Sequence, residues 1–196
     1  FYCVQKWKRW LEFSPLPITY TGKNTPSTIR LKDSISVDSA QIIGFIDFNS
    51  NTTTDLGSGA GLPGIVLAII LKNMKNNMDV YLYEKSYHKS RFLKEVSEKL
   101  NLNTKVFQKN IFEIKNLETG TVMSRAFKPM PVVLDLVYEN FSKYKNLIFF
   151  MGKSGKKIFE KSKNDWDLEY IEKKSLTNED SFLLNIKKIN KKEKKI

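Results

Sequence analysis

The chain has 196 residues, 41% of them hydrophobic, and a formal net charge of +12; this is long enough for one domain with a buried core and too apolar for a disordered segment. Its one cysteine, Cys3, excludes an internal disulfide and a cysteine-based metal framework. Its longest apolar run, Ile65 to Leu71, falls far short of the roughly 18 residues that a membrane-spanning helix needs.

The positive charge points to a polyanion such as nucleic acid. The bland reading is compositional: 29 Lys stand against four Arg in a chain rich in Asn and Ile, as AT-biased coding also produces. No metal and no membrane are expected, and a single chain in the cytoplasm is the expected acting form. The chain starts at Phe1 rather than Met, as a fragment would.

Trp7, Trp10, Leu11 and Phe13 are spaced like one face of a short basic helix. Pro15, Pro17, Gly22 and Pro26 predict an irregular stretch to about residue 28. Asp38 to Phe48 reads as a short helix with Asp38 or Ser39 as its N-cap. Residues 1–48 are therefore expected to form an extension packed on a core domain of residues 49–196.

From Thr52 the rhythm alternates. A strand at Thr52-Thr53-Thr54 leads into a glycine turn, and an apolar helix runs from Leu62 to Lys75. Strands follow at 79–84, 104–108, 121–124 and 146–151. Helices are expected at 90–100, 131–144 and 156–163, with two last strands at 167–173 and 182–189. Such alternation predicts an α/β fold, a mostly parallel sheet covered on both faces, with the last two strands as an antiparallel end.

The turn is the chemically informative stretch. Asp55-Leu56-Gly57-Ser58-Gly59-Ala60-Gly61-Leu62-Pro63-Gly64 places four glycines between a strand and a helix, where the backbone must turn sharply or let a ligand approach. The helix start supplies free N–H groups and a positive dipole end. A Walker loop requires Gly-Lys-Ser/Thr, and Pro63-Gly64-Ile65 does not supply it. The dinucleotide spacing Gly59-x-Gly61-x-x-Gly64 is present, with Glu84 twenty residues on, so an NAD-dependent oxidoreductase is one reading. Binding of S-adenosylmethionine is the other. Asp55 would close the first strand, Gly57, Gly59 and Gly61 form the turn, and Glu84 would take both ribose hydroxyls. An apolar pocket near Ile111 and Phe112 would suit an adenine.

The run from Asp55 to Ile65, followed by Ser124-Arg125-Ala126-Phe127, resembles the bacterial small-subunit (16S) ribosomal RNA guanine-N7 methyltransferases, the glucose-inhibited division protein B family. Asp38-Ser39-Ala40-Gln41 also looks like that family's Asp-Ser element, and the resemblance runs from about residue 35 to the C-terminus. It implies a Rossmann-like class I methyltransferase with a seven-stranded sheet, S-adenosylmethionine as cofactor and 16S ribosomal RNA or a small-subunit precursor as partner. Asp55, Gly57, Ser58, Gly59, Gly61, Leu62, Glu84, Ile111, Phe112 and Arg125 would form the cofactor site. Arg125 would also position the target base, with no general base required. Phe127, Lys128 and Lys153 would meet RNA, Phe127 by stacking. The chain departs from the family pattern at Ser34-Ile35, where Arg-His is usual, at Asn110, and at Met151-Gly152. A member of the family that has lost turnover is the remaining alternative.

Overall fold

The structure, a computed structural model, describes residues 18–22, 25–29 and 34–193; the predicted tryptophan-bearing helix lies outside them. Strands β1 (Ile18–Gly22) and β2 (Thr25–Ile29) pair antiparallel, Ile18 opposite Ile29. This corrects the irregular reading of that stretch. A two-stranded ribbon gives each strand an outer edge, where a proline withholds no needed N–H from the ladder. Helix α1 (Ser34–Ala40) continues into a 3-10 turn at Gln41–Phe45. It begins earlier than its capping signal predicts, so Asp38 and Ser39 lie inside the helix rather than at its cap.

From Thr52 strands and helices alternate through the first half of the main sheet, and the second half also adds successive strands without a helix between them. Strand β3 (Thr52–Leu56), helix α2 (Gly64–Asn73), strand β4 (Asp79–Tyr83), helix α3 (Tyr87–Lys99) and strand β5 (Thr104–Phe107) form the first half. The second half holds the short β6 (Leu117–Glu118), β7 (Thr121–Ser124), α4 (Met130–Asn140), β8 (Phe141–Lys143) and β9 (Asn146–Met151). Helix α5 (Gly155–Ser162) and strands β10 (Trp166–Lys174) and β11 (Phe182–Lys191) close the chain.

Seven strands make the main sheet in the order β10-β11-β9-β7-β3-β4-β5. The pairs β9–β7, β7–β3, β3–β4 and β4–β5 are parallel, and β11 is antiparallel to both its neighbours. The final hairpin thus adds to one end of the sheet, with its second strand innermost.

Side chains alternate across this sheet as strand geometry requires. Val80, Leu82, Met123, Ile148 and Leu183 face a core shared with the 3-10 turn, α2 and α3. Tyr83, Val122, Leu147, Phe149 and Leu184 face a second core under α4. Ile65 to Leu71 of α2 are all buried. A helix apolar on every side is stable only when covered all round. The sheet covers one flank of α2, and Ile42, Ile43 and Ile46 belong to the same cluster. Burying each such side chain contributes about 1.5–3 kcal/mol.

The register sets up the site. Leu56 pairs with Tyr83 on one side and with Ser124 on the other, so Gly57, Glu84 and Arg125 leave the sheet at one level. The order of addition switches sides at β3, with β4 and β5 laid on one flank and the parallel β7 on the other. In open α/β sheets, ligands bind in the crevice outside the carboxyl ends of the strands at this point.

Candidate active site

The glycine loop is built by its own backbone. Gly57, Gly59 and Gly61 have φ of 66°, 55° and 92°, the left-handed region where a Cβ is strained. At Gly57 a Cβ would also collide with the Phe127 ring, and at Gly61 with Ile65. Gly59 has no such neighbour, so its bare face is open. Ser58 N–H donates to the Tyr83 carbonyl at 3.0 Å, tying the loop to β4.

Asp55 lies beneath this loop, 1% exposed, and its Oδ2 accepts the Gly64 N–H at 3.0 Å. It satisfies one of the orphan donors at the start of α2. Burial pushes its carboxyl up to about 7, against the opposing pull of the Gly64 N–H and of Arg125. Asp55 therefore supports the loop from below and is not among the residues lining the cavity above it. Gly61 and Phe112 also stand outside that lining, whereas Gly57, Ser58, Gly59, Leu62, Glu84, Ile111 and Arg125 belong to it.

Glu84 is buried at the end of β4, and both its oxygens are fixed. Oε2 accepts the Gly59 N–H at 3.0 Å and Oε1 the Ser86 N–H at 2.8 Å. A carboxylate oxygen has a second lone pair, so the anchored group still offers acceptors to a ligand. Tyr83 is also buried and stacks on Phe107 with centroids 4.8 Å apart. Together they wall a cavity of about 470 Å³, the size of small-molecule sites.

Ile111 also lines the cavity, from a 3-10 turn at Ile111–Glu113. Sequence reasoning missed what holds it there. Asn140, 2% exposed at the end of α4, donates from Nδ2 to the carbonyls of Ile111 (3.5 Å), Phe112 (3.4 Å) and Ile114 (2.8 Å). Its only sequence signal is a polar residue closing an apolar helix.

Arg125 is half-buried at the end of β7. Its guanidinium donates to Ser39 Oγ at 3.1 Å and lies 5.3 Å from the Phe150 ring centroid. Burial lowers its pKa, while the charges of Asp38 and Asp55 oppose the shift. Phe127, predicted as a base stacker, lies with its ring on Gly57 and 6.0 Å from Phe112, so it helps to shape the cavity wall. Lys128 reaches the cavity rim with Lys85, Lys89 and Lys109. Lys153 is exposed elsewhere and faces Asp180 at 3.9 Å. His88 is exposed on α3 against Tyr87 and outside the cavity lining.

The family described as GidB, rRNA small subunit methyltransferase G, matches residues 21–184. The chain belongs to this family. A curated relative from Pelagibacter ubique, named ribosomal RNA small subunit methyltransferase G, is 57% identical over 175 residues, covering 89% of this chain and 82% of the relative. A relative of the same name from Paramagnetospirillum magneticum is 27% identical, covering 79% and 73%. Among solved structures, M. capricolum TrmK with S-adenosyl-homocysteine superposes with a TM-score of 0.57 at 19% identity, covering 80% of this chain and 70% of that one. M. jannaschii TYW2 with AdoMet gives 0.57 at 13%, covering 92% and 90%. At these identities the two structures show a shared fold, the Rossmann-like one of class I methyltransferases. Membership of the GidB family favours the methyltransferase reading of the glycine loop over the dinucleotide one.

Proposed function

We propose that this chain transfers a methyl group from S-adenosylmethionine to N7 of a guanine in 16S ribosomal RNA. The observation that carries the reading is one cavity bounded by three groups: the glycine loop, the anchored Glu84 carboxylate and the apolar Ile111 wall. These residues suit the cofactor. Glu84 offers acceptors to two ribose hydroxyls, Ile111 an apolar surface to adenine, and the bare backbone at Gly59 room for the amino-acid portion. Leu62, also in the lining, adds apolar surface beside the loop, and Asp55 with Gly61 keeps the loop in shape.

When bound, S-adenosylmethionine supplies an electrophilic methyl group whose bond to sulfur breaks as the bond to N7 forms. N7 carries a free lone pair and no proton, so this chain has no proton to remove. Its work is alignment and exclusion of water. The absence of His88 from the cavity lining fits that demand. Arg125, with a planar fork of donors, positions the base rather than stabilising charge, because the product is itself a cation.

The RNA reading draws support from the rim. Lys85, Lys89, Lys109 and Lys128 are exposed around the cavity and, among the described residues, make no ion pair. Lysines of that kind are suited to phosphates. We take a single chain as the acting form. Among the described residues no helix is long and apolar enough to cross a membrane, and we take the cytoplasm, where ribosomal RNA is found, as the place of action.

Calorimetry against S-adenosylmethionine and NAD, with Gly57→Asp as the control, tests the cofactor. Binding of S-adenosylmethionine alone, abolished in the variant, is expected. Transfer of labelled methyl to small-subunit RNA, followed by nucleoside digestion, should then yield 7-methylguanosine. Cofactor binding without transfer to any form of that RNA would identify a member that has lost turnover.

A further inference from the structure

Arg125 and Ala126 have two sides. They line the cofactor cavity, and they also line a second cavity of about 260 Å³ beside it. The second cavity is walled by Phe150 and Met151 at the end of β9, by Phe182 at the start of β11, and by Asp38 with Ser175. Phe182 pairs with Met151 across the sheet, which brings these walls to the same edge as the cofactor site.

Asp38 is the chemically distinctive group in it. Its Oδ1 accepts from the Ser175 hydroxyl at 2.8 Å and its Oδ2 from the Thr177 hydroxyl at 2.7 Å. Two donors on the turn between β10 and β11 thus fix the plane of the carboxylate, and each oxygen retains a lone pair. Its charge also stabilises that of Arg125. At the edge shared by the two cavities, Ala126 has φ of 47°. A non-glycine residue in that region persists only where the surroundings hold it, and such residues cluster at functional sites.

A fixed carboxylate presents two acceptors side by side. Its complement is a pair of adjacent N–H donors, as on the N1–H and N2–H₂ edge of guanine. Adenine and cytosine each set an acceptor beside their amino group, and uracil sets carbonyls on both sides of its N–H. Apolar walls at Phe150, Met151 and Phe182 suit contact with a splayed-out base, the form in which a base can be methylated. With the N1/N2 edge at Asp38, N7 is on the other side of the ring, toward the shared edge. A donor from Arg125 to O6 leaves the N7 lone pair unoccupied.

We propose that this second cavity receives the target base and that Asp38 selects guanine by accepting from N1–H and the 2-amino group. The assignment rests on the methyltransferase reading above. The competing role for Asp38 is to fasten the turn at 175–178, and it makes a different prediction. The test uses the full chain and a small-subunit RNA fragment with guanosine or inosine, which lacks the 2-amino group, at the methylated position. Wild type should lose at least tenfold in kcat/KM on inosine. Asp38→Asn should lose ten- to a hundredfold on guanosine, keep cofactor affinity within threefold, and show no further loss on inosine. Gln41→Ala, which removes the hydrogen bonds that tie Lys174 and Leu176 of this turn to the 3-10 turn but leaves Asp38 and its two hydroxyl donors in place, should discriminate between the two RNAs as wild type does.

Equal inosine penalties in wild type and Asp38→Asn would mean that the carboxylate does not touch the base and would overturn the assignment. So would wild type that methylates both RNAs equally, a result independent of how any variant folds. Wild type that binds cofactor and transfers to neither RNA would instead overturn the methyltransferase reading, and this assignment with it.

Discussion

Asp55 couples the loop to pH. Its native carboxyl titrates at about 7, against 3.8 as the ordinary value, because burial penalises the charged form. Between those values the folded chain holds a proton that the unfolded chain has released. The associated stability is full below about pH 4 and is lost as pH rises through 7. The loss approaches about 4 kcal/mol if the whole shift is expressed, at 1.36 kcal/mol per pKa unit. Asp55→Asn removes the titration. Urea denaturation at pH 5 and pH 8 should show a larger decline in wild type than in the variant; equal declines would show that Asp55 does not titrate in this window. Gly64 beside it admits nothing larger. A Cβ there would lie 2.7 Å from Asp55 Oδ2 and against the Leu82 side chain. Gly64→Ala is expected to destabilise by about 1–3 kcal/mol, as overpacking does, and the same urea titration measures it.

At the scale of elements, the two halves of the cavity are held by different means. The glycine loop is held from within its own strand–turn–helix unit, by Asp55 on Gly64 and by the adjacent strand. The Ile111 turn is held from α4, through Asn140. Asn140→Ala would leave buried carbonyls unpaired, at about 1–3 kcal/mol for such a loss. It should also weaken S-adenosylmethionine binding, because Ile111 loses its seat, while Gly59 and Glu84 keep theirs. Calorimetry and denaturation on the one variant read both effects, and unchanged affinity would remove Asn140 from the site's support. The contrast explains what was legible in the sequence. The unit from β3 to α2 announces itself through adjacent signals: β-prone threonines, clustered glycines, then an apolar run. Glu84 follows from strand spacing, and Arg125 from the family motif around it. Asn140 joins the site only through a pairing between distant segments, which no local period encodes, and Lys85, Lys89 and Lys109, though near Glu84 or Ile111 in sequence, carry no signal that sets them apart from the other lysines. The β1–β2 ribbon was hidden by prolines that an edge tolerates, and β8 by its continuity with the helix before it.

Among the described residues, part of the positive charge is answered by neighbouring acids. Lys105 faces Asp79, Lys145 faces Asp47, Lys156 faces Glu172 and Lys191 faces Asp135. The four lysines at the cavity rim are not so answered, although the chain's net charge is +12. Charge alone therefore overstates the nucleic-acid signal, and its distribution carries more information. Each lysine that neutralises an RNA phosphate releases condensed counterions, and for single strands the slope of log K against log salt changes by about 0.7 per contact. Replacing Lys85, Lys89, Lys109 and Lys128 together by Gln should flatten that slope by up to about 3 units. Replacing Lys105, Lys156 and Lys191 by Gln removes nearly as much charge from sites already paired, and the slope should change by less than about 1. Filter binding of small-subunit RNA over a range of salt concentrations measures both sets. Equal flattening in the two would mean that RNA responds to net charge and not to the rim; flattening confined to the rim variant would place the phosphate path across the mouth of the cofactor cavity.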